Sequence, residues 1–138
     1  NDNVVDLYSA SPEIDEGKNT ARAFMHDVWL CGPGGRRTRL RALVDDGALV
    51  GAMCERLYKL HARELGDLRA SGRVLRMANG ARVRSSGRWS GSMVIGRTSV
   101  CVEVEVFPSD GDWELLLGKP ILQQLHASHD YATDTITI

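Results

Sequence analysis

Apolar residues recur at every second position over several stretches of this chain, the spacing of a strand with one buried face. Val100, Val102, Val104 and Val106 alternate with Cys101, Glu103 and Glu105, which predicts a strand over Thr98–Phe107 with one wet face. Leu40, Ala42 and Val44 mark a strand over residues 38–44, and residues 23–30 form the strand before it, the two joined by a turn at Gly32-Pro33-Gly34-Gly35. That hairpin delivers Asp45-Asp46-Gly47-Ala48 at its end. Further strands are expected at 74–77, 82–84, 89–95, 113–117 and 134–138, with tight turns at Asn79-Gly80 and Gly96-Arg97. Helical spacing enters twice. Met53, Leu57 and Leu60 predict a helix over 52–64 with Gly66 just past its end, and Pro120 sits in the first turn of a helix over 119–125.

These elements make a mostly β domain with two short helices. At 138 residues, 43% hydrophobic and 25% charged, the chain supports one packed core. Residues 1–19 mix acids, Ser, Pro and Asn without periodicity and read as a flexible tail or linker, leaving 20–138 as the domain. No stretch approaches the roughly 18 apolar residues of a membrane span, and the opening Asn1-Asp2-Asn3 is not a signal segment. The chain therefore reads as intracellular, cytoplasmic and without a membrane partner. Seventeen basic and eighteen acidic residues leave a net charge of −1, so nucleic acid is not an expected partner. Arg36, Arg37, Arg39 and Arg41, with Arg82, Arg84 and Arg88, read as solvated strand faces and turn tips. Three cysteines, odd in number and widely spaced, form neither a disulfide framework nor a zinc ribbon.

Several candidate chemistries fall away on context. Gly32-Pro33-Gly34-Gly35-Arg36-Arg37 lacks the Gly-Lys-Ser/Thr ending of a phosphate cradle and lies between strands. His126 and His129, three apart, have no third ligand nearby, so no metal is expected. Cys54 has no partner histidine and sits on the predicted helix as a packing or surface residue. Asp45 taken alone is a turn acid after a strand. Two apolar strands, however, run into a glycine: Leu43-Val44-Asp45-Asp46-Gly47 and Leu115-Leu116-Leu117-Gly118.

In that pairing the sequence resembles the retropepsins, especially the peptidases of gypsy-type LTR retrotransposons and their domesticated relatives. The matching stretches are Ala42-Leu43-Val44-Asp45-Asp46-Gly47-Ala48, Trp113-Glu114-Leu115-Leu116-Leu117-Gly118-Lys119-Pro120-Ile121-Leu122, and His129-Asp130-Tyr131 followed by Thr135-Ile136-Thr137-Ile138. They stand in the family's order and span about 24–138. The resemblance implies an all-β acid protease fold, a closed barrel-like sheet in a twofold homodimer, acting on polypeptides without a cofactor. It makes Asp45 the catalytic acid, with Asp46, Gly47 and Ala48 as the active-site loop. Met77, Ala78, Asn79 and Gly80 fall where the family carries its substrate-covering flap.

Hydrolysis of this kind uses two carboxylates sharing one proton, one activating water while the other donates to the scissile carbonyl. One segment here has the strand-Asp-Xaa-Gly-Ala form, with Asp45 favoured over Asp46 as its acid because Asp46 breaks the two-residue step to Gly47, and an isologous dimer supplies the second acid as Asp45 of a second copy. Gly47 is expected to permit the turn that aims Asp45 inward. The C-terminal strand is expected to pair between protomers, and a peptide to lie extended beneath the flaps like an added strand, with Val44, Leu49, Met77 and Leu117 as candidate pocket residues. Asp46 departs from the family pattern, where Thr or Ser both donates and accepts across the dimer. An ionised carboxylate only accepts, and four carboxylates near one axis oppose association. Two expectations follow: a dimer and an activity that strengthen as pH falls below neutral, or a dimerising, peptide-binding module that does not cut.

Overall fold

A computed structural model of the chain describes residues 4–6, 24–77, 79–108, 114–133 and 135–138. In chain order its strands are β1 (Val4–Asp6), β2 (Phe24–Cys31), β3 (Arg37–Val44), β4 (Ala52–Cys54), β5 (Val74–Arg76), β6 (Arg82–Arg84), β7 (Gly87–Ile95), β8 (Thr98–Phe107), β9 (Leu115–Leu117), β10 (Ser128–Asp130) and β11 (Thr135–Thr137). The helices are α1 (Glu55–Leu60), α2 (Ala62–Leu65) and α3 (Lys119–Gln124). Six strands close a barrel in the order β2-β3-β9-β4-β8-β7, while β1-β5-β6 and β10-β11 form two small separate sheets.

The alternation read from the sequence places the core. Along β3, Thr38, Leu40, Ala42 and Val44 face inward while Arg37, Arg39 and Arg41 face out. Val28, Leu30, Trp89, Met93, Val102, Val104, Leu115 and Leu117 complete the barrel interior. Burying each large side chain contributes about 2 kcal/mol of transfer free energy. The β2–β3 turn is a single 3-10 turn, Pro33–Gly35, in which Gly34 (φ 74°) and Gly35 (φ 77°) take left-handed conformations open to glycine at little cost. Trp89 Nε1–H donates to the Leu65 carbonyl at 2.7 Å, which ties α2 to the barrel.

Three expectations are corrected. Ala52, Met53 and Cys54 are a fully buried strand, because β4 pairs with both β8 and β9. The helix predicted over 52–64 therefore begins at Glu55, and a non-helical His61 (φ −114°, ψ 20°) splits it, so there are three short helices. Cys54 is buried strand, not helix surface. The wet face of β8 fails at Glu105, only 3% exposed, and Arg88 leaves its expected solvent face to pair with it. Within the expected N-terminal tail, Val4–Asp6 form a strand parallel to β5. Trp113 lies outside the described residues.

Candidate active site

The site is built where β9 lies between two strands adjacent in the chain. β9 runs parallel to β3 and antiparallel to β4, so the connection through 45–51 must arch over the end of β9. Close approach there depends on Gly118. A Cβ on it would lie 2.3 Å from the Val50 carbonyl oxygen and 3.0 Å from that of Ala48. Three backbone hydrogen bonds pin the arch: Asp45 N–H to Leu117 O (3.1 Å), Ala48 N–H to Asp45 O (3.2 Å) and Lys119 N–H to Ala48 O (2.7 Å). The two glycine-ending apolar strands of the sequence thus lie side by side.

Asp45 is half-buried, and its Oδ1 accepts the Gly47 N–H at 2.9 Å. Gly47 does not adopt a left-handed φ, so the expected conformational reason is not the operative one. What glycine provides is room: a Cβ there would stand 3.2 Å from Asp45 Oδ1.

β5 and β6 form the expected hairpin. Its tip is closed by Met77 N–H to Ala81 O (2.8 Å), Gly80 N–H to Met77 O (2.9 Å) and Ala81 N–H to Asn79 Oδ1 (2.9 Å), with Gly80 at φ 86°. Leu75, Met77 and Val83 pack on Ala48, Val50 and Phe107 in a small apolar cluster apart from the barrel core. The hairpin root and the Asp45 loop therefore share one packing unit, and the Asn79-Gly80 tip is exposed. Ala78 lies outside the described residues. The four pocket candidates do not converge. Val44 and Leu117 belong to the barrel core, Met77 to the hairpin cluster, and Leu49 to a separate cavity.

Asp46 is exposed and takes no part in this cluster. Its Oδ2 accepts a hydrogen bond from the Tyr131 hydroxyl, whose ring lies 4.1 Å from that of His129. The hydrogen bond to Asp46 is the first cause holding the Tyr131 hydroxyl above its ordinary pKa, with burial and the charges of Asp46 and Asp45 adding to it. A cavity of about 410 Å³ adjoins this contact, bounded by Val44, Lys119, Leu122, His126 and Ile136. His126 (φ 52°) lies beyond the end of α3 and His129 in β10, so they share no helix face. Among the described residues no cluster of three or more His, Cys, Asp or Glu side chains could hold a metal. Next to it β11 pairs antiparallel with β10 within the chain, and its other edge carries no strand among the described residues.

A second cavity, of about 780 Å³, is not lined by Asp45. It opens beside Leu49, Val50 and Gly51 and is walled by Arg73, Arg88 and Glu105. Glu105 accepts from Ser71 Oγ (2.7 Å) and Arg88 Nε (2.8 Å), with Arg73 at 3.8 Å. Burial pushes its carboxyl up, yet the hydrogen bonds from Ser71, Arg88 and Ser85 and the Arg88 charge outweigh it and hold the pKa below the ordinary value. Nothing in the local sequence around 105 announces this cluster, because its donors come from elsewhere in the chain.

No family model matches the sequence. Among solved structures, the retroviral protease-like domain of Ddi1 from Leishmania major superposes with a TM-score of 0.59 at 15% identity, over 86% of this chain and 88% of that one. The EIAV protease in complex with the inhibitor HBY-793 gives 0.55 at 18% identity, over 83% of this chain and 99% of that one. The chain has a retropepsin-like fold. Within that fold the Asp45 arch and the β5–β6 hairpin sit on one side of the barrel and the β10–β11 hairpin beside Asp46. Among the described residues no helix is long and apolar enough to cross a membrane.

Proposed function

We propose that the chain is an aspartic endopeptidase that works as a homodimer, with Asp45 of each copy forming the catalytic pair. The observation that carries this reading is the Asp45 arch itself. A half-buried carboxylate, oriented by Gly47 N–H and braced on Leu117 and Gly118, lies beside a hairpin able to cover an extended peptide. One chain supplies one such acid, and a twofold axis supplies the second. The ionised member of the pair takes a proton from water as its oxygen attacks the scissile carbonyl, and the protonated member donates to the carbonyl oxygen. Collapse of the tetrahedral intermediate breaks the C–N bond, and the nitrogen leaves with a proton. The open edge of β11 is the surface on which the second copy would add a strand.

Dimerisation brings two Asp45 and two Asp46 carboxylates together, so association and cleavage strengthen as pH falls below neutral. A second reading, a dimerising peptide-binding module without cleavage, draws on one observation. Asp46 is hydrogen-bonded to Tyr131 of its own chain, where the family's Thr or Ser would bond across the dimer axis. Cleavage of a mixed peptide library from pH 4 to 7 by the wild type and Asp45→Asn, with sedimentation in the same buffers, separates the two. Cleavage that rises toward acid and disappears in Asp45→Asn supports the peptidase; a stable dimer that cuts nothing supports the module.

A further inference from the structure

Among the described residues the barrel is closed and presents no strand edge to a peptide, while the two small sheets keep theirs. In the flap sheet, β6 takes one edge of β5 and β1 takes the other, in parallel register Val4↔Val74, Val5↔Leu75 and Asp6↔Arg76. The Leu75 side chain packs on the apolar cluster that includes Ala48 and Val50 of the Asp45 arch. A strand on the outer edge of β5 therefore lies about 4.8 Å from the strand that meets the arch. On the reading given above, that edge belongs to the hairpin that covers substrate.

We propose that the N-terminal strand is a tethered ligand of the flap, competing with extended polypeptides for the outer edge of β5. The argument is exclusion. The main-chain N–H and C=O groups along one edge of β5 can pair with one strand at a time, and such pairing is indifferent to sequence. Two adjacent valines suit an extended, pleated segment. Three residues form too short a strand to bind well from solution, but covalent attachment gives an effective concentration on the order of millimolar. If β1 is docked about nine-tenths of the time, the affinity of a competing peptide falls about tenfold. Once the peptide is bound, the chemistry at Asp45 is unchanged.

The test uses Val4→Pro/Val5→Pro in the full chain, which removes two consecutive N–H groups and so interrupts the β1 ladder whichever residue donates to β5. A second variant lacks residues 1–6. The probe is the synthetic peptide Asn-Asp-Asn-Val-Val-Asp-Leu, copied from residues 1–7. Hydrogen exchange at Val74–Arg76 is expected to accelerate about tenfold in both variants and to slow again when millimolar peptide is added in trans. For a library peptide that the wild type cleaves, KM is expected to fall about tenfold in the variants with kcat unchanged. Exchange at β5 indifferent to either variant, no recovery of protection with the peptide, or an unchanged KM overturns the proposal. The exchange readings need no cleavage, so they decide the case even if the peptidase reading itself fails.

Discussion

Asp45 and Glu105 both adjoin the short stretch 49–51, Asp45 in the arch that leads into it and Glu105 through its N–H to the Gly51 carbonyl, and the fold treats them oppositely. Glu105 is 3% exposed and surrounded by donors, with Ser71 and Arg88 at hydrogen-bond distance and Arg73 close by. Asp45 is half-buried, and its Oδ1 accepts the Gly47 backbone N–H. A carboxylate saturated with donors is held ionised and inert, whereas one with free acceptor capacity can receive and give up a proton. Glu105 belongs to the scaffold. It ties the segment leading into the β5–β6 hairpin, through Ser71 and Arg73, to Arg88 on β7. Asp45 is carried on a braced arch with its chemistry left open.

The sharpest way to break this contrast is to remove each acid in turn. Asp45→Asn is expected to lower cleavage by about 10³-fold while leaving the thermal midpoint unmoved, because the Asn side-chain oxygen still accepts the Gly47 N–H and, among the described residues, Asp45 makes no ion pair. Glu105→Ala leaves the Arg88 and Arg73 guanidiniums without their partly buried partner. It is expected to cost about 3 kcal/mol, a fall of roughly 10 °C in Tm, read by calorimetry. Equal destabilisation by the two substitutions would erase the distinction. Gly118→Ala follows in size. Its Cβ meets the Val50 carbonyl backbone at 2.3 Å, so the arch must move, with an expected cost of about 2 kcal/mol and a fall in kcat larger than any change in KM.

What the sequence disclosed follows the same division. The placement of Asp45 at the end of β3, beside the second glycine-ending strand, was legible because its environment is local: an apolar strand, a turn and a glycine two residues on, with a matching strand at Leu115–Gly118. Glu105 was illegible because alternation along Thr98–Phe107 assigns it to the solvent face, and nothing within that strand reveals a guanidinium and a serine hydroxyl arriving from other parts of the chain. Ala52–Cys54 failed for a related reason. Three buried residues between β8 and β9 have no polar face to set a period of two, and Met53 happened to stand at helical spacing with Leu57 and Leu60. The Asp46–Tyr131 contact joins residues 85 apart, so tertiary structure alone brings them together.

Acid sharpens the contrast further. The Glu105 carboxyl is held below its ordinary pKa, so its stabilisation is fully present above the unfolded-state value of about 4.5 and is lost as pH falls through the folded-state value. Cleavage is expected to rise over the range in which this contribution is still intact, and stability to decline below it. Glu105→Gln should therefore lie about 1 kcal/mol below the wild type in urea denaturation at pH 7, and the two curves should converge toward pH 3. Parallel curves over the whole range would mean that the Glu105 charge is not what holds the base of the β5–β6 hairpin.

The smallest effect tests whether Asp46 has been removed from the active-site electrostatics by its partner. Tyr131 is 66% exposed, so its hydroxyl adds little to stability, and Tyr131→Phe is expected to change Tm by no more than a degree or two, about 0.5 kcal/mol. The hydrogen bond nevertheless gives the Asp46 carboxylate an in-chain donor, which lowers the cost of carrying that charge toward a dimer axis. Without the hydroxyl that charge loses its in-chain donor when two copies meet, so association at a given pH should weaken about threefold, which moves the pH midpoint of dimerisation toward acid. Sedimentation across pH 4 to 7 reads this directly. In Asp46→Ser, which restores a side chain that both donates and accepts, the dimer should become insensitive to Tyr131→Phe. A midpoint that moves equally in both backgrounds would show that Tyr131 acts through the C-terminal hairpin rather than through Asp46.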